Sequence, residues 1–147
     1  MVHIEQITEK TLTNDKLNQL LRVLKQLSSS VTEQSTKQAV ASSQNHVLVA
    51  VDDDQGAIVG TTTLACLYCV TGTRVHIEDV VVDSDHRGKG IAQALINEAI
   101  QRAKKLQAKT IDLTSRPERE AANRLYTKLG FAKRDTNVYR FVAPISE

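Results

Sequence analysis

Val80-Val81-Val82-Asp83-Ser84-Asp85-His86-Arg87-Gly88-Lys89-Gly90-Ile91-Ala92 decides the fold of this chain, because an apolar strand gives way to a basic, glycine-bearing turn and then to helical spacing. Three consecutive β-branched residues are apolar on both faces of a strand, which places that strand inside a sheet. From Ala92 onward the apolar residues Leu95, Ala99, Ala103 and Leu106 recur three or four apart, the period of a helix of about five turns. Gly88 and Gly90 stand at its entrance. The first turn of a helix carries backbone N–H groups without intrahelical partners and a partial positive charge, and glycines let a phosphate approach that backbone closely. Arg87 and Lys89 add full charges at the rim. The turn reads as an anion site.

Other phosphate-binding turns fit less well. A P-loop needs a lysine followed by serine or threonine after its last glycine, and here Gly90 is followed by Ile91-Ala92, which excludes it. A dinucleotide site of the doubly wound type finds its first two glycines in Gly88 and Gly90 and a downstream acid in Asp112. It then meets Gln93, a five-residue gap from Asp83 to Arg87 between strand and first glycine, and an acid that lies inside its strand between Ile111 and Leu113. A plain helix entrance with surface charges is the remaining alternative for the turn taken by itself.

Outward from the turn, strands and helices alternate. Residues 2–7 alternate apolar and polar and predict a strand. Leu17, Leu20, Leu21, Leu24 and Leu27 form one apolar helical stripe, with Asn14 or Asp15 as its cap, and a weaker helix is expected over 33–43. Residues 46–51 and 57–68 predict a hairpin about the Asp52-Asp53-Asp54-Gln55-Gly56 turn, and 74–82 the strand that leads into the motif. After the long helix come a strand at 110–114 and a helix that opens with Ser115-Arg116-Pro117-Glu118, in the form of a capping box, and closes at Gly130. Residues 131–134 and 138–142 predict two closing strands. No repeat or linker divides the chain, so a single domain over 1–147 is expected.

The composition narrows the function. At 147 residues, 41% hydrophobic and 24% charged, the chain is large enough for a core of its own, and it is neither fibrous nor disordered. A formal charge of +2 with no basic tail gives no reason to expect a nucleic-acid partner. With no secretory leader and no run of eighteen apolar residues, a cytoplasmic location without membrane attachment is expected. Cys66 and Cys69, the only cysteines, lie three apart on a strand and so on opposite faces, which suits small hydrophobes better than a redox or zinc pair.

The turn resembles the pyrophosphate-binding signature of the GNAT superfamily of N-acetyltransferases: Arg or Gln, two residues, Gly, one residue, then Gly or Ala. Arg87, Gly90 and Ala92 fill those places. A second segment, Asn123-Arg124-Leu125-Tyr126-Thr127-Lys128-Leu129-Gly130-Phe131, is similar to the family's Leu-Tyr-x-Lys-Leu-Gly-Phe ending of its last helix. The two occur in the family's order. The resemblance covers roughly residues 48–142. It implies an α/β GNAT fold, a central mixed, mostly antiparallel twisted sheet of six to seven strands flanked by about four helices.

It also implies a chemistry: an acetyl group moved from acetyl-CoA, the cosubstrate, to a primary amine by direct attack in a ternary complex, with no metal. Val80, Val81, Val82, Arg87, Gly88, Lys89, Gly90, Ile91, Ala92, Asn123 and Tyr126 are then the cofactor-binding residues, and Glu78 and Tyr126 the catalytic ones. In such enzymes the strand before the turn splays from its neighbour and pairs with the pantetheine arm. Glu78 matches a carboxylate that takes the amine proton through water, and His76, on the same face, is the rival base. A carboxylate is a much weaker base than an amine, so the task needs burial or a water relay. Tyr126 matches a tyrosine near the thioester sulfur. A phenol is a weaker acid than a thiol, so hydrogen-bond stabilisation with partial proton donation is the expected role.

The acceptor is less legible. The stretch His76-Ile77-Glu78-Asp79-Val80-Val81-Val82 is similar to that of family enzymes acting on amino-sugar phosphates, and a small amine or amino sugar is the expected acceptor. A protein amino group, or a non-catalytic acyl-CoA-binding regulator, is the alternative. Arg116, Arg119 and Arg124, interleaved with Glu118 and Glu120, read as a solvated face. Homodimers are common among such enzymes.

Overall fold

The structure, a computed structural model, describes residues 1–144; the end of the expected domain, 145–147, lies outside the described residues. In chain order the elements are β1 (Val2–Ile7), α1 (Asn14–Leu24), α2 (Glu33–Ala41), β2 (Asn45–Asp52), β3 (Ile58–Cys69), β4 (Gly72–Val82), a 3-10 turn (Ser84–His86), α3 (Ile91–Lys105), β5 (Thr110–Asp112) and α4 (Glu120–Lys128). They fall into two compact units. The first, Met1–Thr114, holds the sheet and α1 to α3, and the second, beginning at Ser115, holds α4.

The sheet has the order β1-β2-β3-β4-β5, antiparallel throughout except for the parallel β4–β5 pair. That arrangement removes the dinucleotide alternative, whose sheet is mostly parallel. Two layers of helix close the sheet. On one face Leu20 and Val23 of α1 and Val40 of α2 pack over Val47, Val49, Ile58 and Val81. On the other lie Leu95, Ile96, Ala99 and Ala103 of α3, all fully buried. Burial of a Leu or Ile side chain contributes roughly 1.5–3 kcal/mol, so the apolar spacing read along α1 and α3 is what fastens both helices.

Gly60 sets how closely α3 sits on the sheet. A Cβ there would stand 3.1 Å from Ile91 Cγ2, 3.2 Å from Leu95 Cδ1 and 3.3 Å from the Val81 carbonyl. Gly60→Ala is therefore expected to cost about 1–3 kcal/mol by overpacking the first turn of α3. A lowered denaturant midpoint at constant slope would show it, and an unchanged midpoint would mean that Ile91 and Leu95 yield without strain.

The structure corrects several local expectations. Thr13, not Asn14 or Asp15, caps α1, its side chain accepting from the Lys16 amide at 3.2 Å. The second helix carries the reciprocal capping box instead, between Thr32 and Ser35. The Ser115–Glu118 stretch precedes α4 without capping it, because Asn123 Nδ2 donates to the carbonyls of Arg116 (3.0 Å) and Pro117 (3.4 Å) and holds that stretch as a turn. Leu125, Leu129 and Phe131 are half-buried instead of core. Cys66 is buried, and burial pushes its thiol up, whereas Cys69 is exposed.

The sheet has five strands among the described residues instead of six or seven. Residues 131–134 and 138–142 form none, and Val138, Tyr139, Phe141 and Val142 are exposed. A strand exists only through a ladder with a partner, and the described ladders end at β5.

Candidate active site

Among the described residues, the second half of β4 pairs with a neighbour on one side only. It pairs with β5 at Arg74, Val75 and His76 and no further, while its ladder with β3 continues to Val82. The side facing β5 is thus open from Ile77 onward, the splay that the resemblance implies. The Asp83 amide donates to Val59 O at 2.8 Å. Because residues of an antiparallel ladder alternate sides, Val82 turns its N–H and C=O away from β3, toward the open side. Its carbonyl accepts from Arg87 Nε at 3.3 Å. By the same alternation Val81, opposite Thr61, directs its main chain to β3, and its side chain lies in the core.

A bulge interrupts β4 within this stretch. Thr61 faces Val81 and Thr63 faces Glu78, so Asp79 and Val80 together oppose the single residue Thr62. Asp79 has φ +54°, a left-handed conformation that asparagine and aspartate tolerate better than most residues. The fully buried Thr62 secures the distortion by donating its hydroxyl to the Glu78 carbonyl at 3.0 Å. Glu78 itself is exposed, on the same face as the half-buried His76, with Thr63 and Ala65 opposite them on β3. Thr63 and Val47 share that face, so Glu78 lies on the side of the sheet that α1 and α2 cover. No ion pair holds Glu78 or Asp79 among the described residues, and Arg74 donates instead to Thr71 Oγ1 at 3.2 Å.

The anion turn follows. Gly88 and Gly90 both have φ +78°, and a Cβ built on either meets nothing within 4 Å, so the backbone is bare toward open space. Gly90 is the N-cap of α3, which has no side-chain cap and no acid in its first turn. The first intrahelical bond is that of Ala94 N–H to Gly90 O at 3.1 Å, which leaves the N–H groups of Ile91, Ala92 and Gln93 for another acceptor. The Ile91 side chain is buried and locks the turn to the core, while Arg87 and Lys89 are exposed at the rim. These features fit a pyrophosphate: unpaired donors, two local cations and a cradle that a Cβ would fill.

Asp83, Arg22 and Gln26 form a cluster that sequence reasoning missed. Asp83 is 3% exposed and accepts from Arg22 Nη2 (3.2 Å) and Gln26 Nε2 (3.1 Å), with His86 Nδ1 3.4 Å away. Burial alone would raise its carboxyl, but the hydrogen bonds from Gln26, Arg22 and the Asp85 amide outweigh it and hold the group below the ordinary carboxylate range.

In the second unit, Asn123 and Tyr126 lie three residues apart on one face of α4. The helix ends in a Schellman motif. Gly130, φ +102°, donates to Thr127 O at 3.1 Å, and Phe131 N–H reaches back to Tyr126 O at 3.0 Å. The accompanying apolar contact is the edge-on packing of the Tyr126 and Phe131 rings, 6.1 Å between centroids. The sequence Tyr126 to Phe131 thus orients its own tyrosine. Burial pushes the Tyr126 phenol up, partly offset by Arg119, so its hydroxyl is held as a proton-bearing donor.

Comparison with known proteins agrees with this geometry. Residues 14–131 match the acetyltransferase (GNAT) family. An uncharacterized N-acetyltransferase of Methanocaldococcus jannaschii is 41% identical over 59 residues, and the match spans 40% of this chain and 26% of that protein. Among solved structures, glucosamine-6-phosphate N-acetyltransferase from Arabidopsis thaliana superposes with a TM-score of 0.77 at 21% identity, over 97% of this chain and 99% of the other. An aminoglycoside acetyltransferase from an uncultured soil metagenomic sample gives 0.81 at 19% identity, over 97% and 96%. At these identities the structures establish the shared fold.

Proposed function

The chain belongs to the acetyltransferase (GNAT) family, and from that premise we propose that it is an N-acetyltransferase, a single domain that moves an acetyl group from acetyl-CoA to a primary amine. The observation that carries the reading is the bare, glycine-held entrance of α3 directly after a strand with one open side. The N–H groups of Ile91 and Ala92 and the cations Arg87 and Lys89 would hold the pyrophosphate, with Gly88 and Gly90 as its cradle. Val80 and Val82 would offer main-chain groups to the pantetheine arm, and Val81 keeps the strand in register from the core. Asn123, whose amide nitrogen is committed to Arg116 and Pro117, would contribute its side-chain oxygen as an acceptor.

Bound there, acetyl-CoA supplies an acyl group activated as a thioester. The residues of this chain do the rest. Glu78 takes the proton of the attacking amine through water, since direct transfer to a carboxylate is steeply uphill. Tyr126 donates a hydrogen bond where negative charge develops on the departing sulfur. Both substrates are held together, and the amine attacks directly. No covalent acetyl-enzyme forms.

For the acceptor we favour a small amine of the amino-sugar class. The local resemblance from His76 to Val82 supports that class, as does the glucosamine-6-phosphate enzyme among the fold's relatives. Thiol release from acetyl-CoA, measured against a panel of amino sugars, their phosphates, simple alkylamines and peptides, tests the proposal. Turnover with an amino sugar above the others supports it, and turnover with peptides alone would make the acceptor a protein amino group. Tyr126→Phe is expected to lower kcat about tenfold to a hundredfold with little change in affinity for CoA; a loss of affinity alone would make Tyr126 a binding residue.

A further inference from the structure

We propose that Gln26, acting with Arg22 and Asp83, is a positioning residue for the anion turn: the C-terminal end of α1 grips the chain between β4 and α3 and sets where the backbone of residues 87–92 stands. The proposal rests on the reading of that turn as the CoA pyrophosphate site. Gln26, just beyond the end of α1, uses both ends of its amide: Nε2 donates to Asp83 Oδ1 at 3.1 Å and Oε1 accepts from the Ser84 amide at 2.9 Å. One turn earlier Arg22 Nη2 donates to Asp83 Oδ2 at 3.2 Å. The Asp83 amide is held in turn by Val59 O at 2.8 Å.

Residues 83 and 84 are therefore pinned from two sides, by β3 and by α1, immediately ahead of a turn whose other anchors are His86, 3.7 Å from Asp52 and 3.4 Å from Asp83, and the buried Ile91 side chain at its far end. Residues 87–90 are exposed, and the space beside Gly88 and Gly90 is empty. Among the described residues the side-chain hydrogen bond made by that stretch is the one from Arg87 Nε to Val82 O, and its far end is tied by the Ala94 N–H bond to Gly90 O and the buried Ile91. Attachment of α1 to the sheet does not require these polar bonds, because Leu17, Leu20 and Val23 are already buried beneath it. What the bonds add is placement. A carboxylate this deeply buried, with an amide and a guanidinium converging on it, fixes direction in a way that apolar packing does not.

Gln26→Met keeps the length and volume of the side chain and removes both hydrogen bonds. Calorimetric titration with CoA is expected to show affinity reduced about threefold to tenfold. Amide hydrogen exchange is expected to accelerate at Ser84 and across residues 87–90 while β2 and β3 keep their protection. Asp83→Asn, which keeps the shape and an acceptor oxygen but loses the charge, is expected to show a smaller loss of the same kind. If both variants bind CoA as the wild type does, or if exchange rises equally in β2 and β3, the cluster is a general stabilising contact and the proposal fails while the CoA site stands. If the wild type itself binds no CoA, the site and the positioning role fail together.

Discussion

CoA binding is expected to fall about a hundredfold or more when Arg87→Ala is combined with Gly90→Glu, in a protein that still folds. Arg87 is exposed, so its removal leaves no cavity, and its bond to the Val82 carbonyl is a surface contact. A side chain at position 90 meets no atom within 4 Å, so glutamate does not collide with the protein. Its backbone cost is that of a non-glycine residue at φ +78°, about 1 kcal/mol. Its electrostatic effect is larger. A carboxylate at the N-cap of α3 takes the free N–H groups for itself and repels the phosphates, where the wild-type turn presents donors and two cations. Loss of one charge-assisted contact and occupation of the others together exceed about 3 kcal/mol, which is the hundredfold. Titration calorimetry, with circular dichroism as the control for folding, reads the result. Affinity unchanged in the double variant would place the cofactor elsewhere.

The parts of this site that sequence reading found are those whose geometry is local. Gly88 and Gly90 announce left-handed backbone at a helix entrance within a few residues, and the three- and four-residue spacing after them belongs to one helix. Gly130 and Phe131 likewise complete a cap whose partners, Tyr126 and Thr127, are on the same turn of chain. The parts that were not legible depend on distant segments. Asp83 reads as the polar end of an apolar strand, and only the arrival of α1, with Arg22 and Gln26, makes it a buried hub. The bulge at Asp79 and Val80 follows from the register of β4 against β3, which no spacing within β4 encodes.

The overturned expectations have the same origin. Val138 to Val142 has the β-branched and aromatic residues that suit a strand, yet composition is a property of one segment and a ladder is a property of two. The capping box at Ser115 to Glu118 has the right residue types, but Asn123 claims the carbonyls of Arg116 and Pro117 and α4 begins later. Thr13, ahead of both expected caps, wins at α1 because its extended backbone lets the hydroxyl reach the Lys16 amide. Local propensity proposed each of these elements, and competing hydrogen bonds decided them.

Glu78→Gln is expected to lower turnover by about a hundredfold or more near neutral pH, with the deficit shrinking as pH rises. The substitution keeps the shape of the side chain and removes only its ability to accept a proton. Glu78 is exposed on the open half of β4, makes no ion pair among the described residues and is held by a main chain that the Thr62 hydroxyl fixes, so glutamine should leave the bulge intact. A primary amine is mostly protonated at neutral pH and must lose that proton before it can attack. The base matters most where the ammonium dominates and least where solvent has already removed the proton. The two pH–rate profiles should therefore converge on the alkaline side, with the affinity for CoA unchanged. His76, two residues away on the same face, gives the contrasting case: if it were the base, His76→Gln would carry the pH-dependent loss and Glu78→Gln would run parallel to the wild type at every pH. Parallel profiles for Glu78→Gln would remove the carboxylate from proton transfer and leave it, at most, a role in holding the acceptor on the face that α1 and α2 cover.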